Sequence, residues 1–272
     1  MSPIGRPLRR GRWADHQYVS VGSGERTLLV VPGLNDPLCR VADRRWFSLL
    51  VATFCGRYAT GRRVAMVSRP PGLSEGLTVA EMAAGYERVL EETGPVDVLG
   101  LSMGGFVVQH LAATSDQVER AILGLSAYRL GEHGRRVLER WRDLAERERW
   151  RPICDEAGTM VAGGLKRPFV RGAVNLYGAF ASLSPVDRED FLVSTDACLA
   201  FDGTDVLTRI DAPTLVIGGG DDPFFTEGGY RKTAASIDDG RLAIIPDVGH
   251  EAVLDRKRAF DRAITRFLRY TG

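Results

Sequence analysis

A serine hydroxyl becomes a useful nucleophile at neutral pH only when a base stands ready to take its proton. Residues 100–105 of this chain read Gly-Leu-Ser-Met-Gly-Gly, a G-x-S-x-G pattern centred on Ser102. A turn sharp enough to expose the hydroxyl leaves no room for bulky neighbours, which explains the glycines. If a helix follows, its first amides and the positive end of its dipole face any negative charge that develops at the serine. Taken alone the pattern also fits an ordinary glycine-rich turn, so its context decides.

The base must come from His16, His110, His133 or His250. His110 falls in the segment directly after Ser102 and reads as a packed or surface side chain. His16 precedes the first expected strand and His133 lies in a heavily charged stretch, so both read as solvated. His250 ends Pro246-Asp247-Val248-Gly249-His250, between the last apolar run and the final helical pattern. That places it at the carboxyl ends of the strands, where open α/β sheets build their sites. A third group, a carboxylate, is needed to orient the imidazole and stabilise the imidazolium. The chain order nucleophile, acid, base puts it between Ser102 and His250. Gly218-Gly219-Gly220-Asp221-Asp222-Pro223 offers two aspartates. Either can serve, and a plain exposed turn is the competing reading.

These residues need a scaffold, and short apolar runs supply one. Thr27–Val31, Arg63–Val67, Val96–Gly100, Ala121–Leu125, Thr214–Ile217 and Leu242–Ile245 are rich in branched aliphatics and punctuated by Gly, Pro or Ser, as strands are. Apolar on both sides, they suit a parallel sheet covered on each face. Helical patterns lie between them. Thr78 with Glu81 forms a capping box, followed by Val79, Met82, Ala83, Tyr86, Val89 and Leu90 at helical spacing. Val253, Phe260, Ile264, Phe267 and Leu268 form a stripe in the last segment. The alternation predicts an α/β fold with a doubly wound, mostly parallel sheet. It breaks between Tyr128 and Phe201, where Val137, Leu138, Trp141, Leu144 and Ala145 mark an amphipathic helix. Gly163, Gly164, Pro168, Gly172 and Pro185 then punctuate shorter pieces. The expected organisation is a core of residues 1–127 and 202–272, with a helical insertion at 128–201 and the sheet resuming near Ile210.

Composition narrows the function. The formal net charge is +1, with 44% hydrophobic and 26% charged residues, so no global field points to nucleic acid, a membrane surface or acidic partners. Arg6, Arg9, Arg10 and Arg12 precede the first acidic residue and read as a solvated tail. No apolar h-region follows them, as a secretory signal would require, and no run approaches a membrane span. Cys39, Cys55, Cys154 and Cys198 show no CxxC spacing, so they read as free thiols of a cytoplasmic protein, not as a zinc or dithiol site. No dinucleotide or P-loop fingerprint is present, and the expectation is an enzyme without cofactor or metal. Oligomeric state has no signature in the sequence.

From about Tyr18 to Leu268 the chain resembles the α/β-hydrolase superfamily, on the strength of the Gly100–Gly105 elbow, the placed His250 and the Gly219-Gly220-Asp221-Asp222 loop. In similar esterases, lactonases and carbon–carbon hydrolases a glycine and two variable positions precede the catalytic aspartate. The resemblance therefore implies Asp222 as the acid, with Asp221 as the fallback. It implies an oxyanion hole from the backbone amides of Met103 and Leu34, the latter in Val31-Pro32-Gly33-Leu34-Asn35. Relatives often carry His-Gly where this chain has Pro32-Gly33, a departure that a backbone donor tolerates. It implies too that residues 128–201 form a cap over the pocket. Serine at the elbow, where haloalkane dehalogenases carry aspartate, disfavours their chemistry. The expected activity is hydrolysis of a small or medium acyl substrate, ester or lactone, through an acyl-enzyme on Ser102. Phe224 and Phe225, with Phe169, Tyr177 and Phe180 of the insertion, suggest an apolar pocket. Carbon–carbon or thioester cleavage, perhydrolysis and acyl transfer use the same residues. A ligand-binding protein on the same fold is the rival from another class.

Overall fold

Each of the six expected apolar runs is a strand, and they lie side by side because none can present a polar face to water. The computed structural model describes residues 6–38, 40, 45–161 and 185–269. Its strands are β1 (Leu8–Trp13), β2 (His16–Val21), β3 (Arg26–Val31), β4 (Arg62–Val67), β5 (Val96–Leu101), β6 (Val118–Gly124), β7 (Thr214–Gly219) and β8 (Gly240–Ile245). They form one eight-stranded sheet in the order β1-β2-β4-β3-β5-β6-β7-β8. From β4 to β8 every pairing is parallel, whereas β1 and β2 pair antiparallel at one edge.

Alternation along β3 shows why its run is continuously apolar. Leu29 and Val31 face one buried cluster, and Leu28 and Val30 face the other. The first cluster is covered by α2 (Val79–Thr93), α3 (Met103–Thr114) and the helices between β6 and β7, and the second by α1 (Arg45–Cys55) and the C-terminal helices. The α2 capping box forms as its sequence predicts: the Thr78 amide donates to Glu81 Oε2 at 2.8 Å and the Glu81 amide to Thr78 Oγ at 3.2 Å.

Two expectations are corrected at the N-terminal edge. The arginines are not a loose tail: Arg9, Arg10 and Arg12 lie on β1, exposed, in register with Ser20, Val19 and Gln17. Trp13 stacks on Tyr18 with ring centroids 3.8 Å apart, and Arg63 lies over the Trp13 ring. An edge strand with water on one side can carry arginines because their stems lie along the sheet while their heads stay solvated. His16, expected in solvent, opens β2 and is buried against Tyr86.

Between β6 and β7 the described residues are helical: α4 (Glu132–Glu146), α5 (Trp150–Val161), α6 (Pro185–Ala200) and α7 (Thr204–Leu207). On α4 the residues Val137, Leu138, Trp141 and Ala145 are buried. Gly163, Gly164, Pro168, Gly172, the aromatics Phe169, Tyr177 and Phe180, and Cys39 lie outside the described residues. The last three helices are α8 (Glu227–Ala235), α9 (Ala252–Asp255) and α10 (Lys257–Arg269), so the final helical stripe is split at Arg256. Among the described residues no helix is long and apolar enough to cross a membrane.

Candidate active site

The site sits at the carboxyl ends of β3, β5, β7 and β8. Ser102 lies between the end of β5 and the start of α3, at φ 53° and ψ −120°. That left-handed conformation is costly for a residue with a Cβ, and backbone bonds hold it: the Ser102 amide donates to Gly124 O at 2.8 Å and the Gly105 amide to Ser102 O at 2.8 Å. The flanking glycines are a steric requirement. A Cβ on Gly100 would lie 2.3 Å from Gly104 O, and one on Gly104 would lie 2.2 Å from Val31 O. The start of α3 is thus pressed against the ends of both β5 and β3. Met103 opens α3, where amides have no carbonyl one turn earlier to receive them. Gly33 of the β3 loop backs onto the serine, with a Cβ there only 3.5 Å from Ser102 Cβ.

His250 follows β8, and the acid loop follows β7. The two strands are neighbours in register, Gly219 opposite Ile245. Gly219 lets the loops close, since a Cβ on it would lie 2.3 Å from the carbonyl oxygens of Val248 and Gly249. The amides of Gly220 and Asp221 donate to Ile245 O and Val248 O at 2.9 and 3.1 Å.

The structure brings Ser102, His250 and Asp222 into one hydrogen-bonded line. Ser102 Oγ lies 3.0 Å from His250 Nε2, and His250 Nδ1 lies 2.8 Å from Asp222 Oδ2. A carboxylate only accepts, so Nδ1 carries the proton and Nε2 is left to accept from the serine hydroxyl. The Asp222 side chain is fully buried while the imidazole is 19% exposed. Asp222 Oδ1 also accepts from the amides of Phe224 and Phe225 at 2.8 and 3.1 Å, and Oδ2 accepts from the Tyr230 hydroxyl at 2.6 Å. Asp221, its neighbour, is exposed and makes no such contact with the imidazole.

A second polar cluster holds the β3 loop. Arg69 Nη1 and Nη2 donate to the carbonyls of Pro32 and Gly33 at 3.2 and 2.9 Å. Asp36 accepts from Ser68 Oγ at 2.7 Å and from the Arg69 amide at 2.8 Å. Burial pushes the Asp36 carboxyl above its ordinary range, against the opposing pull of the Arg69 guanidinium and these hydrogen bonds. The Gly33 carbonyl and the Leu34 amide belong to one planar trans peptide, so anchoring the oxygen fixes the direction of the N–H. Sequence reasoning missed Arg69, Asp36 and Tyr230. Arg69 did leave a signal, a charged residue two positions after an apolar strand; Tyr230 left none.

Of the expected aromatic wall, the Phe224 ring centroid lies 4.8 Å from that of His250 and 5.9 Å from that of Trp141. Phe225 points into the core, its centroid 5.8 Å from that of Phe106. His133 is exposed. His110 stands edge-on to Phe201 and borders a groove of about 330 Å³ between α2 and α6 that includes neither Ser102 nor His250. Among the described residues no group of His, Cys, Asp and Glu is placed to hold a metal ion.

A family model described as the alpha/beta hydrolase family matches residues 28–263. A Mycobacterium tuberculosis protein named as a non-heme bromoperoxidase, BpoC, is 26% identical over 249 residues, 86% of this chain and 94% of that protein. MGS-M2, an alpha/beta hydrolase enzyme from a Medee basin deep-sea metagenome library, has a similar structure. Its TM-score is 0.81 at 13% identity, over 97% of this chain and 98% of that one. The enol-lactonase from Burkholderia xenovorans LB400 gives a TM-score of 0.75 at 20% identity, over 96% and 100%. At such identities the two structures speak to the fold alone.

Proposed function

The chain belongs to the alpha/beta hydrolase family, and on that premise we propose that it is a serine hydrolase cleaving a small or medium ester or lactone through an acyl-enzyme on Ser102. The observation that carries this reading is the line Ser102 Oγ, His250, Asp222, with separations of 3.0 and 2.8 Å. In the first step Ser102 Oγ attacks the acyl carbon while His250 Nε2 takes its proton. The tetrahedral oxyanion is received by the amides of Leu34 and Met103. Collapse breaks the bond to the leaving oxygen, which takes the proton from the imidazolium. Water then attacks the acyl-enzyme, giving a proton to His250, and the acid departs as Ser102 regains it. Asp222 remains a carboxylate throughout. Phe224, against the imidazole, forms an apolar wall of the acyl pocket, and the helices of residues 128–201 cap it. The protein works in the cytoplasm on a small-molecule substrate, without a cofactor.

Labelling with a fluorophosphonate probe tests this. The wild type should label and turn over a panel of acyl esters. Ser102→Ala should lose the label and about 10⁴- to 10⁶-fold in turnover. A folded wild type that neither labels nor hydrolyses any ester would move the ligand-binding reading ahead. BpoC's name favours one variation, perhydrolysis, in which hydrogen peroxide replaces water at the acyl-enzyme and releases a peroxyacid. Peroxyacid formation that depends on both peroxide and Ser102 would support it.

A further inference from the structure

Asp222 Oδ2 accepts from two donors at once, the imidazole N–H of His250 at 2.8 Å and the phenol of Tyr230 at 2.6 Å. With Oδ1 accepting from the amides of Phe224 and Phe225, the carboxylate's lone-pair sites are filled. The phenol is a built part of this arrangement. Tyr230 lies on α8, fully buried, and its ring occupies space that exists only because residue 218 is glycine: a Cβ there would lie 2.2 Å from a ring carbon. Burial, with the neighbouring Asp222, pushes its hydroxyl well above the usual tyrosine range, so it stays a donor at working pH.

We propose that Tyr230 is a positioning residue for the reaction, acting through Asp222. It fixes the oxygen that holds the imidazole and withdraws charge from it. This inference rests on the proposed roles of Ser102, His250 and Asp222. Two donors sharing one oxygen each receive less of its charge, so the phenol sets how strongly Asp222 stabilises the imidazolium. Removing the hydroxyl leaves Oδ2 to His250 alone, and the imidazolium then persists to higher pH. A more acidic phenol acts the opposite way. The other charged groups at the two loops are Asp221 and Asp247, which are exposed, Glu227, which pairs with Arg231, and Glu251, which accepts from the Gly249 amide. They are unchanged by a substitution at position 230, so a shift reports the phenol.

The test compares wild type, Tyr230→Phe and protein carrying 3-fluorotyrosine at position 230. The His250 ring is titrated by nitrogen-15 NMR, its signal assigned by its loss in His250→Gln, and the pH profile of kcat/KM for an ester is recorded alongside. The expected result is a His250 midpoint, and with it the acidic limb of the profile, moved up by about 0.5 to 1 pH unit in Tyr230→Phe and down in the fluorotyrosine protein. Phenylalanine keeps the ring over Gly218, so a packing role alone moves neither. Unmoved midpoints, or midpoints moved the same way in both proteins, would overturn the proposal. If Tyr230→Phe does not fold, the direction in the fluorotyrosine protein decides. The NMR titration needs no turnover, so it stands even if the wild type fails to label or hydrolyse, an outcome that sinks the hydrolase reading separately.

Discussion

Asp222 accepts four hydrogen bonds while its side chain is fully buried, an arrangement that serves a carboxylate and would be misassigned to a neutral amide. Asp222→Asn keeps the volume but brings an N–H₂ group where Tyr230 and His250 both donate, so the imidazole loses its required tautomer. The expected outcome is a fall of about 10⁴-fold in kcat with the fold retained, read by ester turnover beside circular dichroism. Arg69 acts at one remove. Its fork holds two successive carbonyls, and lysine, a point donor, spans only one. Arg69→Lys should let the Leu34 amide drift and lower kcat by about 10²-fold with a smaller change in KM; an unchanged kcat would remove Arg69 from the site. Ser102 and His250 were legible because pattern and chain order constrain them. The residue pattern alone left Asp222 as one of a pair, and only the family resemblance singled it out, because which adjacent aspartate turns inward depends on the bonds to Phe224 and Phe225. Tyr230 was not legible at all, and Arg69 only as a charge just past an apolar strand, with no sign of its role: their partners lie 8 and more than 30 residues away, and only the tertiary fold brings them together.

Elements carry their own constraints, most sharply where α3 meets the sheet. Gly104→Ala sets a methyl carbon against the Val31 carbonyl at 2.2 Å, a collision with backbone that no rotamer relieves. It should cost about 3 kcal/mol, lowering Tm by roughly 6 to 12 °C. Gly228, in the exposed first turn of α8, offers the contrast. A Cβ there meets only Thr226 Oγ, at 3.8 Å, so Gly228→Ala should raise stability by about 0.5 to 1 kcal/mol. Equal effects at both sites, measured by thermal unfolding, would contradict the packing argument. The same logic explains which elements the sequence revealed. The strands β3 to β7 are largely buried on both faces and so read as apolar runs. Strand β8, the half-buried far edge, keeps its run where it packs on β7, whereas β1 and β2 form the antiparallel edge. Leu-Arg-Arg-Gly-Arg-Trp carries no apolar run, and pairing with β2, not composition, makes it a strand. At the other end, the stripe of residues 253–268 is continuous in period, and the break at Arg256 between α9 and α10 carries no proline or glycine to announce it.

At the scale of the whole molecule, net stability is a small difference between large terms, typically 5 to 15 kcal/mol, so one buried ionisable group can tilt its pH dependence. His16 is such a group. It is 1% exposed, its ring centroid is 4.6 Å from that of Tyr86, and its Nδ1 has no hydrogen-bond partner among the described residues. Burial first, then the nearby Arg88, lowers its pKa from 6.5 to about 4. The unfolded chain therefore binds a proton near pH 6.5 that the native protein refuses until about pH 4, and stability falls as pH drops through that window. The contribution is fully present above pH 6.5 and is lost toward pH 4. The interval from pH 7 to pH 5 isolates most of it, because ordinary carboxylates stay ionised there. Wild type should lose roughly 2 kcal/mol over that interval from this group alone. His16→Phe keeps an aromatic ring against Tyr86 and has nothing to titrate, so its urea midpoint should move correspondingly less between the two pH values. Equal losses in the two proteins would mean that the native fold admits the proton at His16. The acid sensitivity would then belong to other groups, and the buried edge of β2 would be more open to water than its packing against Tyr86 implies.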